Sequence, residues 1–253
     1  MKAVLAHFSL TFDKFNPHQV SGYGMSERKA HFLIENGHVS MICSLYDVII
    51  IGDTTPHGRA LLESLLLEEK TPSSRFCQAK IVIEITNRFD HEVRDVARYH
   101  ATMEALAAQT QTRLRGRLFW VANNNFDKAY TEQKLQMGMP FMRILRPLGI
   151  AGNGGNLVYP WGLPSQDINV FAAQMHHTNI LPTVIEKFSL PIAVFPLGHK
   201  YGGPANLLKF KAWLEFPYQY STMKFYENIA YGVPQLFPSP RFMEKLFDVK
   251  TSS

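Results

Sequence analysis

Apolar residues along the chain fall into short, β-branched runs separated by helical patterns, and this alternation sets the expected architecture. Four runs read as buried strands: residues 46–53 (YDVIIIGD), 80–86 (KIVIEIT), 117–122 (RLFWVA) and 142–146 (MRILR). Runs that are apolar on both faces belong in a parallel sheet covered by helices. Between the strands, residues 58–69 place Leu61, Leu62, Leu65 and Leu66 at helical spacing, and residues 95–110 set Val96, Tyr99, Met103, Leu106 and Ala107 on one face. Strand and helix alternating in this way predict an open α/β sheet of Rossmann type.

The pattern breaks at Pro147, where residues 147–164 gather Gly, Pro and Asn around Trp161 and read as a linker. A second α/β unit follows: a helix at 181–188, a strand at 192–196, a helix entering at Pro204, a strand at 212–216, a helix at 221–231 and a strand at 235–237. The expected architecture is α/β with two small Rossmann-like domains, 1–150 and 151–253. The first is short enough to read as a reduced version of the fold.

Composition narrows the function classes. With 46% hydrophobic and only 19% charged residues in 253, the chain can bury a core and is not a solvated, disordered segment. A net charge of +5 suits a phosphate-bearing ligand but falls short of the basic stripe that nucleic acid requires. No apolar run approaches the ~20 residues of a membrane helix, so no integral membrane segment is expected. Met1–Phe12 is interrupted by His7 and Ser9 and shows no small-residue cleavage site, so no secretory leader is expected either. Cys43 and Cys77 have neither C-x-x-C nor metal-ligand spacing, and reduced thiols in the cytoplasm, with no metal, are the simplest reading.

Ligands of open α/β sheets gather beyond the carboxyl ends of the strands. Those positions hold Asp53, Thr54 and Thr55 after the first strand, Asn87, Arg88 and Asp90 after the second, and Asn123, Asn124 and Asn125 after the third. Asp and Thr also cap helices and Asn makes turns, so these residues carry a structural reading beside the functional one. Arg88 and Asp90 are the sharper pair, because neighbouring charges at a strand end are costly unless paired or used. His91 and His199 are candidate bases, while His176–His177 reads as a surface pair. Arg113, Arg115 and Arg117 read as a solvated edge, and Met223, Phe225, Phe242 and Met243 as core.

The second half holds an ordered series: residues 194–198 (VFPLG), 207–212, 216–222 (FPYQYST), 227–234 (ENIAYGVP) and Pro238–Ser239. This succession, over residues 194–246, resembles the donor-binding half of GT-B-fold glycosyltransferases, above all the retaining family 4, and its most specific piece is 227–234. The resemblance implies two domains facing across a cleft. It also implies transfer of a sugar from a nucleotide-sugar donor to a glycan or small-molecule acceptor, with retention of configuration, no metal and no separate cofactor. Ser221 and Thr222 would then open a helix whose free amides face a diphosphate, and Glu227 would accept the ribose hydroxyls. Gly198, Lys200, Gly202 and Gly203 would form a phosphate loop, though Lys200 also reads as an exposed loop lysine and the glycines as a turn. Gly232 is a helix C-cap under any reading.

Two departures shape the expectation. Gln219 stands where the family has a sugar-contacting Glu, and residues 147–186 contain no Lys or Arg where the family places a basic pair. Lys200 and Arg88 are the substitutes, which makes Arg88, Asp90, Lys200 and Gln219 the expected catalytic set and Asp53, Thr54, Asn87 and Asn123 the acceptor side. The alternative is a catalytically lapsed nucleotide- or glycan-binding protein of the same fold. Sugar, nucleotide, acceptor and oligomeric state stay open.

Overall fold

The computed structural model describes residues 11, 13, 25–52, 54–67, 76–86, 88–145, 171–174, 180–195, 204–215 and 223–242. The chain divides into two units, Met1–Arg146 and Pro147–Ser253, and each contains a parallel four-stranded sheet. The first unit runs α1 (Glu27–Glu35), α2 (His38–Leu45), β1 (Val48–Ile51), a 3-10 turn (Thr55–Gly58), α3 (Arg59–Ser64), β2 (Lys80–Ile85), α4 (Val96–Gln109), β3 (Leu118–Ala122), α5 (Asn125–Lys134) and β4 (Arg143–Ile144).

In this unit the strands stand in their chain order, β1-β2-β3-β4. Parallel crossovers are right-handed, so connections that all step the same way lie on one face of the sheet. Burial follows that rule. Ile51, Ile81, Ile83, Ile85, Leu118, Trp120 and Ala122 share one core with Ala30, Ile34, Leu62, Tyr99, Met103 and Leu106 of the helices. On the opposite face Val48, Ile50 and Phe119 remain 49%, 45% and 42% exposed. The expectation of helices on both faces is therefore corrected for the described residues: these strands alternate between a covered and an open side.

Local chemistry explains the elements. Helix α1, which the apolar pattern did not reveal, starts at Ser26, whose hydroxyl accepts from the Lys29 amide at 3.4 Å. Helix α4 buries Tyr99, Met103, Leu106 and Ala107 as its spacing predicts, but Val96 at its first turn is exposed. Gly58 lets the 3-10 turn rest directly on β1: a Cβ there would stand 2.4 Å from Ile51 Cδ1. Buried Trp120 donates from Nε1 to Thr110 Oγ1 at 2.9 Å, which satisfies the indole.

Two arginines read as a solvated edge have structural partners. Arg113 donates to the carbonyls of Leu65 and Leu67, and Arg117 donates to the carbonyl of Cys77. Arg115 alone of the three is exposed without such a bond among the described residues. Cys77 is joined to Cys43 by a disulfide. The reading of reduced thiols is thus corrected, and because disulfides persist in oxidising surroundings, the cytoplasmic placement that rested on those thiols loses its basis.

The second unit contains β5 (Phe171–Gln174), α6 (Ile180–Phe188), β6 (Ile192–Phe195), α7 (Pro204–Leu207), β7 (Trp213–Leu214), α8 (Met223–Ala230) and β8 (Gln235–Leu236). Strand β5 was missed in the pattern, yet it is the centre of the sheet, whose order is β6-β5-β7-β8. A small core of Leu207, Leu208, Trp213 and Val233, flanked by Phe195, Phe210 and Tyr231, holds the unit together. Phe242, read as core, is instead 48% exposed. Among the described residues of the chain no helix is long and apolar enough to cross a membrane.

Closing the chain across the 34-residue separation of the cysteines removes unfolded-state entropy worth about 4 kcal/mol. Cys43→Ser combined with Cys77→Ser is expected to lose about that much in urea denaturation; two reactive thiols in the unreduced chain would refute the bond. Glu84 gives a pH-dependent test, since burial raises its pKa. A carboxyl raised on folding contributes stability that is present below its unfolded pKa and lost as pH rises through its folded one. Glu84→Gln is therefore expected to stabilise the dilute chain at neutral pH. The advantage should shrink on acidification below the carboxylate range; an equal advantage at both pH values would exclude desolvation as its cause.

Candidate functional site

Because β1, β2 and β3 are parallel, their carboxyl ends share one edge, and the turns that leave them meet there. Thr54 and Thr55 after β1 are buried, and Thr54 closes the 3-10 turn by accepting the His57 amide at 3.0 Å. Arg59, at the start of α3, is fully buried and donates from Nε to Glu63 at 2.6 Å and from Nη1 to Asp95 at 2.8 Å. Asp95 is the N-cap position of α4, so this guanidinium locks the segment after β1 to the segment after β2. Burial alone would lower the basicity of Arg59, but the bonds to Glu63 and Asp95 outweigh it and raise its pKa.

The segment after β2 is fixed by Phe89. Its buried ring lies 5.2 Å from His100 and 6.2 Å from both Tyr99 and Tyr130, centroid to centroid. This anchor leaves Arg88 exposed and turns Asp90 inward. Asp90 Oδ2 pairs with His100 Nε2 at 2.8 Å, and Tyr130 donates its hydroxyl to the same carboxylate at 3.0 Å. Burial and then Asp90 push the Tyr130 phenol up to about 12, while Arg88 acts on it in the opposite sense. The Asp90 carboxylate thus fixes the orientation of the His100 ring through Nε2. An imidazole oriented by a carboxylate is the arrangement of a positioned base.

The segment after β3 has a different character. Asn123 is buried and donates to the Thr86 carbonyl at 3.3 Å. Asn124 caps α5 by accepting the Asp127 amide at 2.9 Å, and its Nδ2 donates to Asp127 Oδ2 at 2.6 Å. Burial raises the Asp127 pKa against the opposing effect of that Asn124 bond. These asparagines therefore hold the edge in shape, and the side-chain amide of Asn123 is engaged with backbone.

Among the described residues three buried groups of this edge lack a protein partner, Thr55 Oγ1, Arg59 Nη2 and the Tyr99 hydroxyl, and a fourth, Glu63 Oε2, has no hydrogen bond and meets only His31 Nε2 at 3.4 Å. Arg59 lies over the Tyr99 ring at 5.6 Å, so two of the three belong to one cluster. Unpartnered buried polar atoms cost about 1–3 kcal/mol each, and a water or a polar ligand atom is the usual remedy. At the opposite, amino-terminal edge a shallow pocket of about 500 Å³ is bounded by Cys43, Tyr46, Val48, Gln78 and Lys80. It lies at the end of the sheet away from Thr54, Arg88, Asp90 and Asn123.

In the second unit the chain steps from β5 to β6 on one side and then to β7 on the other. In open α/β sheets such a reversal of strand order marks where ligands are sought, which here is the carboxyl ends of β5 and β7, beside Glu215. Glu215 is buried and accepts the Trp213 indole N–H. Residues 216–222 lead from there into α8, which carries half-buried Glu227. Its neighbour Asn228 is fully buried, with neither side-chain polar atom bonded to protein. The helix ends as its sequence predicts, with Gly232 at φ 72° and the Val233 amide donating to the Asn228 carbonyl at 2.9 Å.

Of the sequence-predicted residues, Arg88, Asp90, Thr54 and Asn123 come together at the edge of the first unit, and Glu227 lies on α8 of the second. Asp53, Asn87, Gly198, Lys200, Gly202, Gly203, Gln219, Ser221 and Thr222 lie outside the described residues, as does His199. His91 approaches Glu92 at 3.6 Å. His100 and Tyr130 were not foreseen; they stand ten and forty residues from Asp90, and His100 is masked in the sequence by the helical stripe around Tyr99. Among the described residues no three His, Cys, Asp or Glu are grouped to hold a metal ion. Comparison with known proteins found no matching family model, no matching curated protein and no matching solved structure.

Tyr130→Phe removes a hydrogen bond to a carboxylate and is expected to cost roughly 1–2 kcal/mol. Urea denaturation reads the loss; unchanged stability would mean that the Asp90 cluster does not hold the edge together.

Proposed function

We propose that the chain is a glycosyltransferase that takes a sugar from a nucleotide-sugar donor held by its second unit, in the manner of the GT-B enzymes it resembles. The observation that supports this reading is the strand order β6-β5-β7-β8, because ligands of open α/β sheets bind where the order reverses, and the next helix in the chain carries Glu227. Glu227 accepts the ribose hydroxyls, and Ser221 and Thr222 present the diphosphate with the backbone amides that open this helix. Lys200, with Gly198, Gly202 and Gly203, adds positive charge at the departing diphosphate, the group on which stabilisation counts most. Gln219 contacts the sugar through its amide.

The acceptor belongs to the edge of the first unit. Arg88 offers an exposed cation there, tied to Tyr130, and Asp90 orients His100. Asp53, Thr54, Asn87 and Asn123 complete the acceptor side. The reaction proceeds with retention and without a metal. A second reading, a binding protein that has lost catalysis, is favoured by Gln219 and by the absence of Lys and Arg from residues 147–186.

Calorimetric titration with UDP, GDP and ADP and their sugars tests the donor site: heat with at least one is expected, and no heat with any refutes it. Glu227→Ala is expected to weaken nucleotide binding roughly tenfold or more with little loss of stability. Equal damage to both would reduce Glu227 to a structural residue. Sugar transfer or donor hydrolysis by the wild-type chain would eliminate the non-catalytic reading.

A further inference from the structure

The open face of the first unit's sheet has an ordered composition. Strand register sets Ile50, Val82 and Phe119 in one row across β1, β2 and β3, with Val48 before it and Val121 after it. Side chains alternate along a strand, so Lys80, Val82 and Glu84 of β2 all project to this face. Lys80 and Glu84 flank the apolar row and stand about 13 Å apart along the strand. Lys80 is exposed, whereas Glu84 is partly buried, with burial as the sole cause of its raised pKa. Neither forms an ion pair among the described residues. Gly52 at the end of β1 leaves Glu84 its space: a Cβ there would stand 3.0 Å from Glu84 Oε2.

We propose that a second copy of this chain packs on the open face, with the two β2 strands antiparallel about a two-fold axis that crosses them at Val82. Under that operation Lys80 stands over Glu84 of the second copy, and Glu84 over its Lys80. The rows of Ile50, Val82 and Phe119 meet their own counterparts between these two pairs. A two-fold axis along the strand would instead oppose Lys80 to Lys80 and Glu84 to Glu84, which is unfavourable in a desolvated contact. The charge order along β2 therefore selects one of the two ways in which the face can meet itself. Facing sheets lie about 10 Å apart, a gap that the stem of Lys80 can bridge to reach a carboxylate. The contact is isologous and closes at two copies.

Sedimentation velocity of the full chain over a concentration series tests the dimer. A concentration-dependent dimer is expected; a chain that stays monomeric throughout, as it would if another part of the same chain covered the face, overturns the proposal. Lys80→Glu and Glu84→Lys, made singly, oppose like charges and are each expected to raise the dissociation constant roughly tenfold or more. The double variant restores opposite charges and is expected to regain wild-type association. Singles that dimerise like wild type, or a double as weak as the singles, overturn the proposal. Phe119→Ser provides an independent variant that removes the apolar centre. It too is expected to dissociate the dimer, with circular dichroism confirming the fold, and wild-type association by the folded variant would count against the interface.

Discussion

The fixed hand of the β-α-β crossover is the constraint on which the architecture turns. Right-handed connections that step steadily across a sheet accumulate on one side, while a reversal of direction sends them to both. The first unit takes the former course with its order β1-β2-β3-β4, and the second takes the latter by placing β5 between β6 and β7. One rule therefore produces two different surfaces from similar strand and helix pieces. Among the described residues the first unit gains an edge where three segments converge and a sheet face without helices; the second carries a reversal of strand order at the centre of its sheet.

At the converging edge, charge is used for location more than for net stability. A guanidinium taken out of water gives up hydration that its carboxylate partners must recover, so a pairing of this kind is weak evidence for net stability. Its value lies in geometry: Arg59 is braced by Glu63 on its own helix and reaches Asp95 at the start of α4, which ties the two helices together. Phe89 does the complementary work with dispersion and area. Its buried ring holds the segment whose polar residues, Arg88 and Asp90, point in different directions.

The apolar pattern revealed the strands of the first unit well, because the run Val48–Ile51 and the run Lys80–Ile85 admit few other structures. It misjudged their coverage. A run such as VIII looks two-sided in sequence, yet β-branched residues occupy exposed sheet positions as readily as buried ones, and only strand order decides which side is covered. Strand β5 was hidden because FAAQ has little apolar bulk, although its central place needs little. The site was legible where chemistry is local, as in the sequence Asn87–Asp90 at a strand end. It was illegible where partners converge from afar: His100 and Tyr130 reach Asp90 only through the packing of α4 and α5. The disulfide was unreadable for the same reason, since the 34-residue spacing of Cys43 and Cys77 matches no motif.

The arginines of the turn before β3 have a topological consequence. Arg113 holds the carbonyls of Leu65 and Leu67, Arg117 holds that of Cys77, and Cys77 is bonded to Cys43. Both margins of residues 68–75 are thus gripped by one short stretch of chain, independently of the eight residues between them. Continuity of the backbone from Leu67 to Phe76 is consequently redundant for connectivity. A molecule opened there would remain one covalent object through its disulfide, with its two cut margins still registered against the same turn. That makes this junction a natural place for new termini or for an inserted domain.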